Sequence, residues 1–153
     1  MPATRLKEYL DRERVPYTSH PHSSAYTAQE IAASAHVPGK AFAKTVIVNV
    51  EGKLAMAVLP ANRKVILQDL RDVTGIEHVT FASENEFKKR FPDCEPGAMP
   101  PFGNLYDMQV FVAPEVTENE EIIFNAGNHS EVIRMKYRDF ERLVQPRVMS
   151  FTT

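Results

Sequence analysis

Two short apolar runs separated by a turn constrain the fold of this chain more than any other feature. Residues 44–50 are rich in β-branched side chains, and residues 54–59 form a second apolar run. Glu51-Gly52-Lys53, between them, has the composition of a turn. The two runs are therefore predicted to form a β-hairpin of two core strands.

The other predicted elements mix helices and strands without a regular β-α-β order. Leu6, Tyr9 and Leu10 recur at helical spacing and predict a helix over residues 3–14. Capping boxes at Thr27 and Ser83 predict two further helix starts, the first helix ending before residues 38–39. The helix that starts at Ser83 is predicted over residues 84–90, two more helices at 66–73 and 137–143, and strands at residues 17–20, 109–112, 121–125 and 132–135. This mixture favours an α+β fold, with a curled, mixed and largely antiparallel sheet flanked by about five helices.

The length and composition are those of an ordinary globular protein. The chain has 153 residues, of which 43% are hydrophobic and 25% charged, so we expect a single domain over residues 1–153. No apolar stretch approaches the roughly 20 residues that span a bilayer, and the first ten residues lack a signal-peptide centre. We therefore expect a cytoplasmic protein that does not act at a membrane. A single cysteine, Cys94, excludes an intrachain disulfide and a Cys-rich metal site.

The charge is unevenly distributed along the chain. The net charge is −2, yet residues 1–76 hold 10 Lys/Arg against 7 Asp/Glu, whereas residues 77–153 hold 8 against 13. A polyanionic partner would therefore meet the first half of the chain. The alternative is that the imbalance is only variation in a solvated surface.

Lys44 is the first residue that could carry chemistry. In a strand its side chain shares a face with Val46, Val48 and Val50, so a lysine heads an apolar stripe. If that stripe faces the core, partial desolvation strengthens the attraction of the ammonium for a phosphate or carboxylate and lowers its pKa. The alternative is a strand-end lysine whose ammonium extends to water.

The loop at residues 96–103 is the second candidate. Its prolines fix φ and remove amide donors, while its glycines permit close approach of a substrate to the backbone. The remaining amides, including those of Gly97 and Ala98, could form an oxyanion hole. The alternative is an ordinary loop that packs Met99 and Phe102 on the core.

The histidines and the cysteine are weaker candidates. His129 and Ser130 are adjacent, and adjacent strand residues face opposite sides, which argues against a Ser–His pair. His20 and His22 have no nearby carboxylate or cysteine to complete a metal site, so no metal or other cofactor is expected. Cys94 lies among acidic residues and prolines, and we expect an unreactive thiol.

Several segments together resemble the YbaK/prolyl-tRNA-synthetase-associated domain family, over about residues 15–148. They are YTAQEIA at residues 26–32, GKAFAKT at 39–45, AVLPA at 57–61, GAMPPFG at 97–103 and FNAG at 124–127. The resemblance implies a barrel-like sheet of the YbaK type. It also implies a free-standing or synthetase-associated aminoacyl-tRNA deacylase, which hydrolyses the ester joining a wrong amino acid to tRNA.

The resemblance also assigns roles to residues of this chain. Lys44 matches the family's lysine and Thr45 its neighbouring threonine, and the substrate loop begins at Gly97, continues through Ala98 and Met99 and includes Pro101. Tyr26 matches the aromatic position of the substrate pocket, and Asn125 with Gly127 the late glycine motif. We expect Lys44 to hold the phosphate or ribose of the tRNA acceptor end, and the amides of Gly97 and Ala98 to stabilise the oxyanion.

The amino acid removed is less constrained than the reaction. Ala113-Pro114 replaces the aspartate of many relatives, and residues 125–129 differ from the late motif of alanine-specific relatives. A pocket between Tyr26 and residues 99–101 suits Ser, Ala, Thr or Cys. Two other classes of function stay open: a non-catalytic tRNA-binding or regulatory module, and a metal-dependent hydrolase using His20, His22 or His129.

Overall fold

A computed structural model describes residues 4–21 and 39–153 of the chain. Its α-helices are α1 (Thr4–Arg12), α2 (Leu67–Thr74), α3 (Glu84–Phe87), α4 (Pro114–Thr117) and α5 (Tyr137–Val144). Its strands are β1 (Tyr17–Pro21), β2 (Ala43–Val50), β3 (Lys53–Pro60), β4 (Val79–Phe81), β5 (Gln109–Val112), β6 (Glu121–Asn125), β7 (Glu131–Lys136) and β8 (Arg147–Val148). The predicted α+β class is confirmed, and these five α-helices belong to the described ranges.

The predicted hairpin is the centre of a five-stranded sheet with the order β4-β2-β3-β5-β8. Strands β2 and β3 are antiparallel, with Lys44 opposite Leu59 and Val50 opposite Lys53. The turn between them has Gly52 at φ +86°, and the Asn49 side chain accepts a hydrogen bond of 2.7 Å from its amide. Strand β5 pairs with both β3 and β8 in parallel, so the sheet is mixed.

A second sheet is antiparallel throughout, with the order β1-β7-β6. Phe42 forms a parallel bridge with Ile123 of β6, which joins this sheet to the beginning of β2. Across the described ranges the ladders form two open sheets, and closure into a barrel stays a prediction.

Aromatic rings fix the loop of residues 96–103 to the core. The Phe102 ring is fully buried and lies 5.5 Å from the Phe140 ring and 5.7 Å from the Phe124 ring, measured between centroids. The Tyr9 ring of α1 contacts the same side chain edge-on at 6.2 Å. Because Phe102 contacts three elements, the loop that precedes it is held against the core, with Pro96 and Gly97 left exposed.

Most of the predicted elements are observed, with differences at their ends. The capping box at Ser83 is present, since its hydroxyl accepts from the Glu86 amide and its amide donates to the Glu86 carboxylate. The helix that follows is α-helical to Phe87 and then narrows to a 3₁₀ turn over Lys88–Arg90. The helix predicted from Thr27 lies outside the described residues. Strands β4 and β8 and helix α4 were not predicted, because two to four residues are too few for a periodic signal.

Across the described ranges, none of the helices has both the length and the apolar content that a membrane span requires.

Candidate active site

The bridge between Phe42 and Ile123 brings two predicted site residues to one edge of the fold. Strands β2 and β6 run in the same direction at this bridge. Lys44 and Asn125 each stand two residues beyond it, so they lie near each other where the two strands separate. Each also shares a face with the bridging residue of its own strand.

Lys44 occupies a half-buried position at the beginning of β2. Val46 and Val50, on the same face, are half-buried too, and Val48 between them is fully buried, so the predicted stripe is most buried at Val48. Burial lowers the pKa of Lys44, and the positive charge of Lys64 lowers it further. Within residues 4–21 and 39–153, Lys44 forms no ion pair. Its ammonium is therefore partly desolvated and available to an anionic ligand.

Thr45 faces the opposite side of the strand from Lys44. Its side chain is only 9% exposed, and its hydroxyl oxygen has no hydrogen-bond partner in the described part of the chain. It lies opposite Val58 in the hairpin. The role of Thr45 in substrate binding stays a prediction. Burial of its hydroxyl costs free energy that no hydrogen bond to a described residue offsets.

Two backbone hydrogen bonds attach the Gly97 loop to the turn after β6. The Glu95 amide donates to the Gly127 carbonyl at 2.8 Å, and the Gly127 amide donates to the Ala98 carbonyl at 2.9 Å. Gly97 and Gly127 have φ values of +83° and +101°, which glycine adopts readily. Since Gly127 follows Asn125 by two residues, this attachment links the Gly97 loop to the strand end beside Lys44.

The amides of Gly97 and Ala98 differ in availability. The Ala98 amide donates to the Glu95 carbonyl at 3.0 Å, and the residue is fully buried. Gly97 is exposed, and its amide makes no backbone hydrogen bond with any described residue. Of these two amides, that of Gly97 is therefore the one without a backbone partner among the described residues, while that of Ala98 closes the turn that presents it.

His129 holds the Gly97 loop from outside. Its Nε2 lies 2.8 Å from the Pro96 carbonyl oxygen, which can only accept, so Nε2 carries the proton. The imidazole also covers Gly97, with Cε1 3.6 Å from where a β-carbon on that residue would lie. The sequence suggested His129 only as a nucleophile partner or metal ligand. This contact was not predictable, because a single sequence does not pair residues 33 positions apart.

The remaining predicted site residues are placed as follows. Met99 and Pro101 are buried, so this part of the loop packs on the core. The alternative given for this loop, packing on the core, is therefore observed. Asn125 is half-buried at the end of β6. Tyr26 and His22 lie outside the described residues.

The other titratable candidates have local structural roles. His20 hydrogen-bonds the Thr18 hydroxyl at 2.8 Å. Within the described ranges, no group of three or more His, Cys, Asp or Glu side chains is arranged to hold a metal ion. Burial raises the pKa of the Cys94 thiol to about 11, so the thiolate is scarce at neutral pH and the predicted low reactivity is confirmed.

A large open cavity lies away from this site. It has a volume of about 860 Å³ and is lined at the hairpin turn by residues that include Asn49, Glu86, Arg90 and Gln109. Asn49 and Lys44 are five residues apart on β2, roughly 16 Å at the usual strand rise. None of the predicted site residues lines this cavity.

Comparison with known proteins identifies the family. Residues 22–143 match the sequence profile of the aminoacyl-tRNA editing domain. The chain belongs to this family. The predicted family is confirmed, and with it the predicted class of enzyme, an aminoacyl-tRNA hydrolase.

Several known proteins resemble the chain in sequence or in fold. The multifunctional Ser/Thr-tRNA deacylase ProXp-y of Escherichia coli K12 is 29% identical over 114 residues, which cover 71% of this chain and 68% of that protein. The crystal structure of a putative trans-editing enzyme for prolyl-tRNA synthetase superimposes with a TM-score of 0.84 at 15% identity, covering 99% of this chain and 97% of the other. A putative signal transduction protein from Marinobacter aquaeolei VT8 gives a TM-score of 0.74 at 15% identity, with 97% of this chain covering 30% of that protein. These structural matches establish the shared fold.

Proposed function

We propose that this protein is a free-standing, single-domain deacylase which removes a small, wrongly attached amino acid from tRNA in the cytoplasm, as part of translation quality control. The observation that carries this proposal is the linkage of two features at one edge of the fold. A half-buried lysine that forms no ion pair with any described residue stands at the beginning of β2, and segment 125–127 connects that edge to the loop of Gly97, whose amide has no backbone partner in the same ranges. A cation and an amide donor that are linked through one short segment suit an ester attached to a phosphate-bearing ligand.

The residues have separate roles in the proposed mechanism. Lys44 binds the terminal phosphate or ribose of the acceptor end and fixes the position of the ester. The Gly97 amide donates a hydrogen bond to the carbonyl oxygen as negative charge develops on it, while Ala98 and His129 hold the loop. An aminoacyl ester is already activated, so positioning and carbonyl polarisation suffice for water to attack without a strong protein nucleophile. The substrate's own ribose hydroxyl assists that water.

The proposed substrates carry serine, threonine, alanine or cysteine. The name of the E. coli relative, a Ser/Thr-tRNA deacylase, supports the hydroxyl-bearing members of this set. One methylene in such a pocket is worth about 1–3 kcal/mol, so we expect several small amino acids to be accepted. Tyr26, Met99, Pro101 and Asn125 are the proposed pocket residues. A synthetase that charges the tRNA is the proposed protein partner.

A deacylation panel tests the proposal. Wild type, Lys44→Ala and the control Lys53→Ala are compared on tRNAs charged with each of the four amino acids under single-turnover conditions. Lys53 is an exposed lysine at the other end of the same hairpin. We expect Lys44→Ala to lose about 10²–10³ in rate, the cost of removing one group that stabilises the transition state, and Lys53→Ala to match wild type.

Two results would overturn parts of this proposal. Wild-type rates in Lys44→Ala would remove the lysine from the mechanism. Saturable tRNA binding by the wild-type protein without hydrolysis of any of the four esters would instead establish the non-catalytic tRNA-binding module.

A further inference from the structure

A second lysine stands beside the candidate site on the turn that follows β3. In the hairpin Lys44 lies opposite Leu59 and Ala43 opposite Pro60. The Ala61 amide then donates to the Phe42 carbonyl at 2.8 Å, which holds the turn of residues 61–64 against the beginning of β2. This turn brings Lys64 to the end of β2 at which Lys44 stands, and the charge of Lys64 lowers the pKa of Lys44.

Hydrogen bonds to Thr153 fix both the amide and the carbonyl of Lys64. Its amide donates to the Thr153 hydroxyl at 3.3 Å, and its carbonyl accepts from the Thr153 amide at 3.0 Å. Val65 continues this contact as an antiparallel bridge with Thr152. The neighbouring Arg63 donates to the Thr153 carbonyl at 2.5 Å. Lys64 therefore projects from a well-anchored position.

Neither lysine is neutralised by a protein carboxylate. Lys64 is exposed, and neither it nor Lys44 forms an ion pair with any described residue. Two unneutralised cations that repel each other destabilise the folded chain slightly, and an anion bound between them removes that cost. Arginine forms bidentate contacts, whereas lysine acts as a point charge, which suits successive phosphates on a flexible strand.

We propose that Lys64 and Lys44 together form a two-lysine site for neighbouring phosphodiester groups of the tRNA acceptor strand. The identity of the phosphate source rests on the proposed function. In this arrangement Lys44 binds the group nearest the ester, and Lys64 binds the strand leading to it. Lys64 contributes to binding of the RNA and not to the chemical step.

The test compares Lys64→Gln and Lys64→Arg with the matched control Lys53→Gln. Dissociation constants are measured for uncharged tRNA over a range of salt concentrations, and KM and kcat are measured for aminoacyl-tRNA. For Lys64→Gln we expect KM and Kd to rise about fivefold, which is near the upper end of what one exposed ion pair contributes to binding. We expect kcat to stay within twofold of wild type. The slope of log Kd against log salt falls by roughly 0.7–0.9, as for one lost phosphate contact. Lys64→Arg and Lys53→Gln retain the wild-type values.

The pH profile of kcat/KM distinguishes an effect of the Lys64 charge from an effect of Lys64 on the structure of its turn. In the described part of the chain, Lys64 is the charged group that lowers the pKa of Lys44 by repulsion. Its replacement by glutamine raises that pKa and moves the alkaline limb of kcat/KM to higher pH, while Lys64→Arg leaves the limb in place. If Lys64→Gln only loosened the turn of residues 61–64, tRNA binding would weaken but the alkaline limb of kcat/KM would not move to higher pH.

The experiments distinguish a wrong two-lysine site from a protein that is not a deacylase. If wild type deacylates tRNA but Lys64→Gln equals Lys53→Gln in Kd and salt slope, the two-lysine site is refuted and the deacylase stands. If wild type hydrolyses no ester, the deacylase falls, and binding of uncharged tRNA still decides the site. Equal binding of tRNA by wild type and Lys64→Gln refutes it in that case also.

Discussion

Replacing Gly97 by alanine separates the cost of backbone strain from the cost to catalysis. Gly97 has φ +83°, and a β-carbon there would meet only the His129 imidazole, at ordinary contact distances of 3.6 and 3.7 Å. Gly52, at the hairpin turn, has φ +86° with nothing within 4 Å of the equivalent position. Gly52→Ala therefore carries nearly the same strain at the end of the hairpin remote from Lys44.

The expected losses of stability and of deacylation rate follow from the backbone conformation and the amide of Gly97. A left-handed conformation costs an alanine about 1–2 kcal/mol, so each variant should lose that much free energy of unfolding, or roughly 2–8 °C in Tm for a chain of this size. Relief of the strain in Gly97→Ala rotates the Gly97 amide, which has no backbone partner among the described residues, away from the proposed oxyanion. Since a lost oxyanion donor costs about 10²–10³ in rate, Gly97→Ala should lose that much deacylation and Gly52→Ala almost none.

Urea denaturation and single-turnover deacylation, measured on the same preparations, provide the two readouts. Equal losses of stability with unequal losses of rate are the expected result. Should Gly97→Ala deacylate within about threefold of Gly52→Ala, the Gly97 amide does not stabilise the transition state, and the oxyanion proposal is refuted.

Three further predictions concern the same region. His129→Ala should lose roughly 10²-fold in kcat by releasing the Pro96 carbonyl, while His129→Gln, which keeps a donor, should restore most of it; equal rates would show that the contact is irrelevant. Gly103→Ala should cost about 3 kcal/mol or more by urea denaturation, because a β-carbon there would lie 2.4 Å from the Met108 carbonyl oxygen; a stability change under 1 kcal/mol would contradict this. Burial and Lys64 lower the pKa of Lys44, so the charged form is lost as pH rises through a value below the ordinary 10.5; kcat/KM should decline there, and a rate flat to pH 10.5 would exclude the cation.

The structure and sequence agree where the signals are local. The hairpin of β2 and β3 was predictable, because β-branched residues, a glycine turn and a second apolar run specify neighbouring strands. The capping box at Ser83 was predictable for a similar reason, since its two reciprocal hydrogen bonds join residues only three positions apart. The parallel pairing of β5 with β3 was not, as more than 50 residues separate the partners.

The candidate site divides in the same way. Sequence singled out Lys44 and the Gly97 loop as unusual residue types in unusual places, and the family resemblance connected them to a reaction. It treated the amides of Gly97 and Ala98 as equivalent, whereas the fold pairs the Ala98 amide with the Glu95 carbonyl and leaves that of Gly97 free.

Residue types and short spacings alone determined the α+β class and the central hairpin, because these depend on periodicity and on contacts between near neighbours. The family came from the resemblance of several ordered segments of the sequence to known members, and the sequence profile confirms it. Only the tertiary structure decided that His129 holds the Gly97 loop and that the turn carrying Lys64 packs at the beginning of β2, where Lys44 stands. Those contacts join segments distant in sequence, and they form only once burial of Phe102 and pairing of the strands have fixed the backbones that carry them.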